Sequence, residues 1–256
     1  MTAAALVGAQ VRDRVLHVLI DRAEKRNALS TAVLDGLAQT FHSYAGEGSL
    51  VAAVLTGAGD KCFAAGGDLK EFDRLRSEAD GRHMALTARS ALDAIRSFPV
   101  PVIAALNGDA LGGGAELAAC CDFRLASPHA RIGFIQGRLS ISTAWGGGID
   151  LMQIIGRQKA LRLLSTARIV DAAEALALGF LDGVADGADT LPATVDAFLA
   201  PMRELVPQSQ RAFKAVARAT FDRRAAEDVE LANFSACWAH ADHWSAHDRI
   251  LSKSTA

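Results

Sequence analysis

Cysteine is scarce in this chain of 256 residues. Cys62, Cys120, Cys121 and Cys237 form no C-x-x-C pair, and vicinal thiols such as Cys120 and Cys121 rarely bridge. A disulfide framework and a zinc site are therefore not expected, and a reducing cytoplasm is the simplest home. An excess of one charge is lacking too. With 27 basic and 29 acidic side chains the formal net charge is -2, and no Lys/Arg run forms a nucleic-acid footprint. No nucleic-acid partner is expected. Long hydrophobic runs are also absent. The most apolar region, Val100 to Cys121, is broken by Pro101, Asn107, Asp109, Glu116 and four glycines, which a bilayer-spanning helix would not tolerate. Met1 to Gln10 lacks the basic start, apolar stretch and cleavage site of a secretory leader and reads as the lead into a first strand. No membrane partner is expected either.

Several catalytic motifs are missing. No GxxxxGK[ST] occurs and no GxGxxG stands between a strand and a helix, so nucleotide binding by those devices is disfavoured. No GxSxG elbow is present, which argues against serine hydrolase chemistry.

What is present is an apolar half of the chain, 22 glycines, and a regular alternation of elements. Leu6 to Val11 and Val15 to Ile20 read as a hairpin. Ser30 supplies an N-cap for a helix reaching about His42. Leu50 to Thr56 is a short apolar run, as expected of a strand buried on both faces. Arg82 to Ser97 has helical periodicity, and Val102 to Leu106 reads as another buried strand. Phe123 to Ala126 and Arg131 to Phe134 are further strand candidates. This alternation is the α/β signature. From Gly146 onward the pattern becomes helical: Ile149 to Ile155, Lys159 to Ser165, Ala172 to Leu178, Thr190 to Leu205, Gln208 to Phe221 and Ala225 to His240. The chain thus divides into an α/β core, residues 1–190, and a helical region, 191–256.

Two glycine-rich turns follow buried strands: Ala64-Ala-Gly-Gly-Asp68 and Gly112-Gly-Gly-Ala-Glu116. Glycine lets backbone approach a ligand closely, and a helix start presents unpaired N–H donors at the positive end of its dipole. Two such donors converging on one oxygen make an oxyanion hole, worth about 3 kcal/mol per donor. A single glycine triplet is more often a device for tight turns or helix packing, so the pair must be weighed with its surroundings.

Those surroundings carry a resemblance. Phe63-Ala-Ala-Gly-Gly-Asp-Leu69 and Pro101-Val-Ile-Ala-Ala-Leu-Asn-Gly-Asp-Ala-Leu-Gly-Gly-Gly-Ala-Glu-Leu-Ala-Ala-Cys-Cys-Asp122 look like the signature of the crotonase (enoyl-CoA hydratase/isomerase) superfamily. The order of elements fits across most of the chain, from Arg22-Ala-Glu-Lys-Arg-Asn-Ala-Leu29 to Trp145-Gly146-Gly147 and the helical region. The resemblance implies an α/β fold, a crotonase-like spiral of ββα units with a C-terminal helical trimerisation region, assembled as a homotrimer or a dimer of trimers. It implies an acyl-CoA thioester substrate with no metal or redox cofactor. Matched motif to motif, Gly67 and Gly113 would supply the N–H groups that grip the thioester carbonyl. Ala28 and Ala65 would lie against the adenine end of CoA, Lys25 or Arg26 near its phosphates, and Asp68 beside them in the CoA-binding set.

A thioester α-carbon becomes acidic, or loses a carboxylate, only if charge on the carbonyl oxygen is held as it develops. Members then differ in the acid or base around that oxygen. Glu116 lies one helical turn beyond Gly113 and can face the same pocket. It matches the first of two catalytic glutamates of a typical hydratase, and an apolar pocket would raise its pKa towards working range. The match fails at the second: Arg131-Ile-Gly-Phe-Ile-Gln-Gly-Arg138 carries Gln136 there, and an amide can orient water but cannot exchange a proton at neutral pH. Three reactions fit: hydration with Gln136 positioning water, isomerisation with one carboxylate as shuttle, and decarboxylation of a 2-carboxyacyl-CoA. Asp122-Phe-Arg-Leu125, the Trp145-Gly-Gly segment and Ile154-Ile-Gly-Arg157 are similar to ethylmalonyl-CoA decarboxylase-like members. A CoA thioesterase and a CoA-ester binding protein without turnover are lesser alternatives. His240, His243 and His247 would share one helical face near Asp242, and read as a packed or subunit-contacting surface rather than a metal site.

Overall fold

The computed structural model describes residues 6–187, 189–219 and 224–253. Strands β1 (Val7–Arg12) and β2 (Val15–Ile20) pair antiparallel across Asp13 and Arg14, whose φ of 50° and 61° are the left-handed values a two-residue hairpin turn requires. Helix α1 (Thr31–Tyr44) starts where the Ser30 side chain accepts from Val33 N. Strand β3 (Ala52–Gly57) follows, then β4 (Cys62–Ala64), α2 (Leu69–Phe72) and α3 (Glu78–Arg96). The sequence pattern starts α3 at Arg82; it begins earlier because Ser77 and Asp80 close a capping box.

The next two turns repeat this order. Strands β5 (Val102–Leu106) and β6 (Asp109–Leu111) lead into α4 (Gly113–Ala119). Strands β7 (Phe123–Ala126) and β8 (Arg131–Gly133) lead into α5 (Gly147–Ile155) and α6 (Arg157–Thr166). Each turn places its first strand in a six-stranded sheet, order β1-β2-β3-β5-β7-β10, and its second in a four-stranded sheet, order β4-β6-β8-β9. The expected spiral of ββα units is the architecture of the chain. Strands β9 (Ile169–Asp171) and β10 (Gly183–Val184) flank α7 (Ala172–Leu178). They correct the expectation of helices alone beyond Gly146: runs of two or three residues are too short to show a period of two.

Four helices complete the described chain: α8 (Leu191–Arg203), α9 (Pro207–Ala219), α10 (Arg224–Trp238) and α11 (Ala241–Lys253). The last two positions expected for α9, 220 and 221, lie outside the described residues. Helix α8 packs Leu191, Val195 and Leu199 against Val15, Ala52, Val54 and Ile103 on one face of the six-stranded sheet. The opposite face buries Leu16, Val18, Ala53 and Leu55 with α1 and α3 in the main core, where Phe41 and Phe98 meet edge to face at 5.2 Å. Among the described residues no helix is long and apolar enough to cross a membrane.

Candidate active site

The two glycine turns leave neighbouring parallel strands, β4 and β6, at the same end of the four-stranded sheet. Gly66 has φ +102° and Gly112 has φ +54°, ψ −120°, backbone that only glycine adopts without strain. The turns touch: a side-chain carbon placed on Gly66 would sit 3.4 Å from Gly113 N. The first turn is tied to the 26–29 segment by Ala65 N to Arg26 O at 3.1 Å, Leu29 N to Gly66 O at 2.8 Å and Asp68 N to Leu29 O at 3.3 Å. This pattern passes over the N–H of Gly67. Gly113 opens α4, so its N–H has no acceptor inside the helix. Among the described residues no acceptor takes up either group.

Trp145 stands over both glycines. A side-chain carbon on Gly67 would lie 3.6 Å from its ring and 2.8 Å from Phe72, and one on Gly113 would fall far inside van der Waals contact with the indole. Close approach, not turn geometry alone, requires glycine at position 113.

Glu116 sits one turn along α4 and is only 2% exposed. Its carboxylate is held by three N–H donors: Gln136 Nε2 to Oε1 at 2.8 Å, and Trp145 N and Gly147 N to Oε2 at 3.0 and 2.9 Å. Burial, and then the charge of Glu230, push its pKa up to about 8 against the pull of those donors. Gly147 is glycine because any side chain there would collide with Glu116. Gln136 opens a short 3-10 turn, Gln136–Leu139, and its Oε1 is buried without a partner among the described residues. The amide therefore has a donor committed to Glu116 and an acceptor still to be used.

These groups line one cavity of about 570 Å³. Gly67, Gly113, Glu116 and Gln136 share it with Arg26 and Ala65 of the expected CoA set, whereas Lys25, Ala28 and Asp68 are not in its wall. Lys25 is exposed, Ala28 O accepts from Arg22 Nη1 at 3.0 Å, and Asp68 caps α2 while pairing with Arg22 at 2.7 Å. Arg26, in a left-handed conformation, pairs with Asp109 at 3.4 Å. The far wall comes from the C-terminal helices, with Phe234 and Trp238 of α10 and His243 of α11. His243 Nδ1 meets Leu139 O at 2.7 Å, which ties α11 to the turn of Gln136. The carbonyl only accepts, so Nδ1 carries the proton, and burial holds the ring's pKa below its usual value. His243 and His247 are buried in packing with Trp238 and Trp244, whereas the expected face of three histidines is corrected at His240, which lies in the turn between α10 and α11 and is exposed beside Asp242.

A family model for enoyl-CoA hydratase/isomerase matches residues 10–249. The chain belongs to the enoyl-CoA hydratase/isomerase family. A crotonyl-CoA hydratase of Syntrophomonas wolfei is 30% identical over 95% of this chain and 94% of its own length. An ethylmalonyl-CoA decarboxylase of Gallus gallus is 38% identical, over 53% of this chain and 45% of its own. The crystal structure of an enoyl-CoA hydratase from Bacillus anthracis superposes with a TM-score of 0.81 at 29% identity, covering 97% of this chain and 96% of that one. The crotonase fold and the enoyl-CoA hydratase/isomerase type of function follow, and with them the chain's standing as an enzyme of this family.

Sequence reasoning missed several residues of this candidate site. Trp145 was legible only as part of a family segment, with nothing to say that its ring covers both glycines. Glu230, Arg89 and Arg96 gave no signal, because each reaches the loop of residues 143–147 from a helix distant in sequence. The wall formed by Phe234, Trp238 and His243 depends on how α10 and α11 fold back.

Proposed function

We propose that this enzyme adds water across the double bond of an enoyl-CoA thioester, with Glu116 as the sole proton-exchanging side chain. The observation that carries this reading is the geometry of Glu116: a buried carboxylate with a pKa near 8, one turn from an unpaired N–H and 2.8 Å from an amide whose oxygen is free. The N–H groups of Gly67 and Gly113 hold the thioester oxygen. As water oxygen bonds to the β-carbon, the double-bond electrons move towards that oxygen, where the two donors stabilise the enolate. Ionised Glu116 takes the proton that water gives up and returns it to the α-carbon. Gln136 Oε1 accepts the other O–H and aims the water. The sum is one water added, with Glu116 regenerated. Arg26 and Ala65 in the cavity wall, with Lys25, Ala28 and Asp68 on the adjoining segments, form the proposed CoA-binding set. No metal or redox group is required by these steps.

Isomerisation is the second reading, favoured by the single exchangeable carboxylate, which can carry a proton between two carbons of the acyl chain. Purified protein assayed with crotonyl-CoA, following loss of the enoyl absorbance, and with ethylmalonyl-CoA, following carbon dioxide, decides between them and the decarboxylase. Hydration of crotonyl-CoA is expected. Carbon dioxide release alone would overturn the reading, and silence in both would move it to isomerisation, thioester hydrolysis or binding without turnover. Glu116→Gln should lower kcat by about 10²–10⁴-fold while leaving KM within a few-fold.

The homotrimer, or dimer of trimers, is part of the same proposal. Helix α9 turns Phe213 and Val216 outward, 64% and 66% exposed, one turn apart on one face. Apolar surface of that kind supports burial against another copy. Three buried free thiols support a reducing cytoplasm.

A further inference from the structure

The loop of residues 143–147 presents its backbone to two buried carboxylates at once. Trp145 N and Gly147 N donate to Glu116, and the N–H between them, Gly146 N, donates to Glu230 Oε2 at 2.8 Å. Glu230 comes from α10, and its Oε1 also accepts from Thr143 Oγ1 at 2.6 Å. The carbonyls of the loop are taken by cations from α3: Arg89 Nη2 to Ala144 O and Arg96 Nη2 to Trp145 O, each at 2.8 Å. Gly148 completes the fit, since a side-chain carbon there would lie 3.1 Å from Glu230 Oε1 and collide with Thr143. Glu230 itself is not in the cavity wall.

We infer that Glu230 is a positioning residue for Glu116: it locks the loop that supplies two of the three donors to Glu116, and it sets a second carboxylate across that strip of backbone. The inference rests on the reading of Glu116 as the proton carrier. The charges around the pair support it. Arg89 pairs with Glu230 at 3.3 Å, and Arg96 is committed to Asp150 of α5 at 2.7 Å and to Asp93 at 2.6 Å. Among the described residues no cation is in ion-pair contact with Glu116. Glu116 therefore meets the field of a like charge across one strip of backbone, and its direct partners among the described residues are N–H donors. Burial pushes the Glu230 carboxyl up as well, while Thr143 and Arg89 oppose the rise.

Glu230→Gln removes the charge and keeps an oxygen for Gly146 N, and Thr143 Oγ1 can accept from the new amide. The probe is the carbonyl stretch of the acid form of Glu116, titrated by infrared difference spectroscopy and identified by its absence from Glu116→Gln. In the parent the midpoint is expected at about 8. In Glu230→Gln it should fall by about one pH unit, and the rising limb of kcat/KM with crotonyl-CoA should move down with it. Arg89→Gln should move both upward. If Glu230→Gln alone strands Arg89 and fails to fold, Arg89→Gln/Glu230→Gln removes both charges and should lie below Arg89→Gln alone by the shift that the charge of Glu230 causes. A midpoint unchanged in the folded Glu230 variants, with rates lowered equally at every pH, would overturn the inference and leave Glu230 a structural residue. Glu116→Gln separates the two claims: if it keeps the parent's activity and pH profile, the role given to Glu116 fails, whatever Glu230 does.

Discussion

At the scale of single residues, Glu116 has a thermodynamic consequence that reaches beyond its chemistry. A carboxyl has a pKa of about 4.3 when the chain is unfolded. In the folded protein burial and Glu230 raise it to about 8. Between those values the folded state holds a proton that the unfolded state releases, so the stabilising contribution is complete below the unfolded value and is lost as pH rises through the folded one. Glu116→Gln removes this dependence. Its amide can be accommodated because Gln136 can turn its unused Oε1 towards the new donor. Melting temperatures of the parent and of Glu116→Gln should therefore be close near pH 5 and diverge in favour of the variant towards about pH 8.5. A constant difference across that range would show that Glu116 ionises with an ordinary carboxylate value. How Glu116 belongs to the site was legible from its spacing after Gly113, because helical periodicity places the two on one face. How strongly it is perturbed was not, because Glu230 lies on a helix that the sequence does not place.

Among elements, the candidate active site depends on β4 and β6 running side by side, so that the turns leaving them abut. The contact is tight. A side-chain carbon at Gly114 would run into the backbone carbonyl of Ala64, and one at Gly113 into the Trp145 ring. Gly113→Ala should destabilise by about 1–3 kcal/mol through overpacking. It should also lower kcat by about 10²-fold or more, as displacing an oxyanion donor does. Chemical denaturation and steady-state kinetics on one preparation measure both effects, and wild-type kcat in a folded variant would remove Gly113 from the proposed donors. The glycine turns were readable in the chain because glycine clusters after apolar runs mark them. Strands β4, β6, β9 and β10 were not, since two or three residues carry no alternation. The turns could thus be recognised before the sheet that brings them together.

For the whole molecule, the C-terminal helices serve two surfaces. Helices α10 and α11 close the cavity with Phe234, Trp238 and His243, while α9 carries Phe213 and Val216 outward. If the proposed trimer uses that face, Phe213→Asp with Val216→Asp should shift the mass measured by light scattering from trimer or hexamer to monomer. The cavity of the chain would keep its lining, because neither residue belongs to it. A parent protein already monomeric would refute the assembly. The sequence by itself determined the α/β class, the strand-helix alternation, the two glycine turns and the family, because periodicity and short-range motifs are local properties of a chain. Tertiary structure alone decided that Trp145 roofs both glycines, that Gln136 keeps a free oxygen beside Glu116, and that Glu230 shares a loop with it. Those facts depend on contacts between segments far apart in sequence, where burial and neighbouring charge set what each side chain can do.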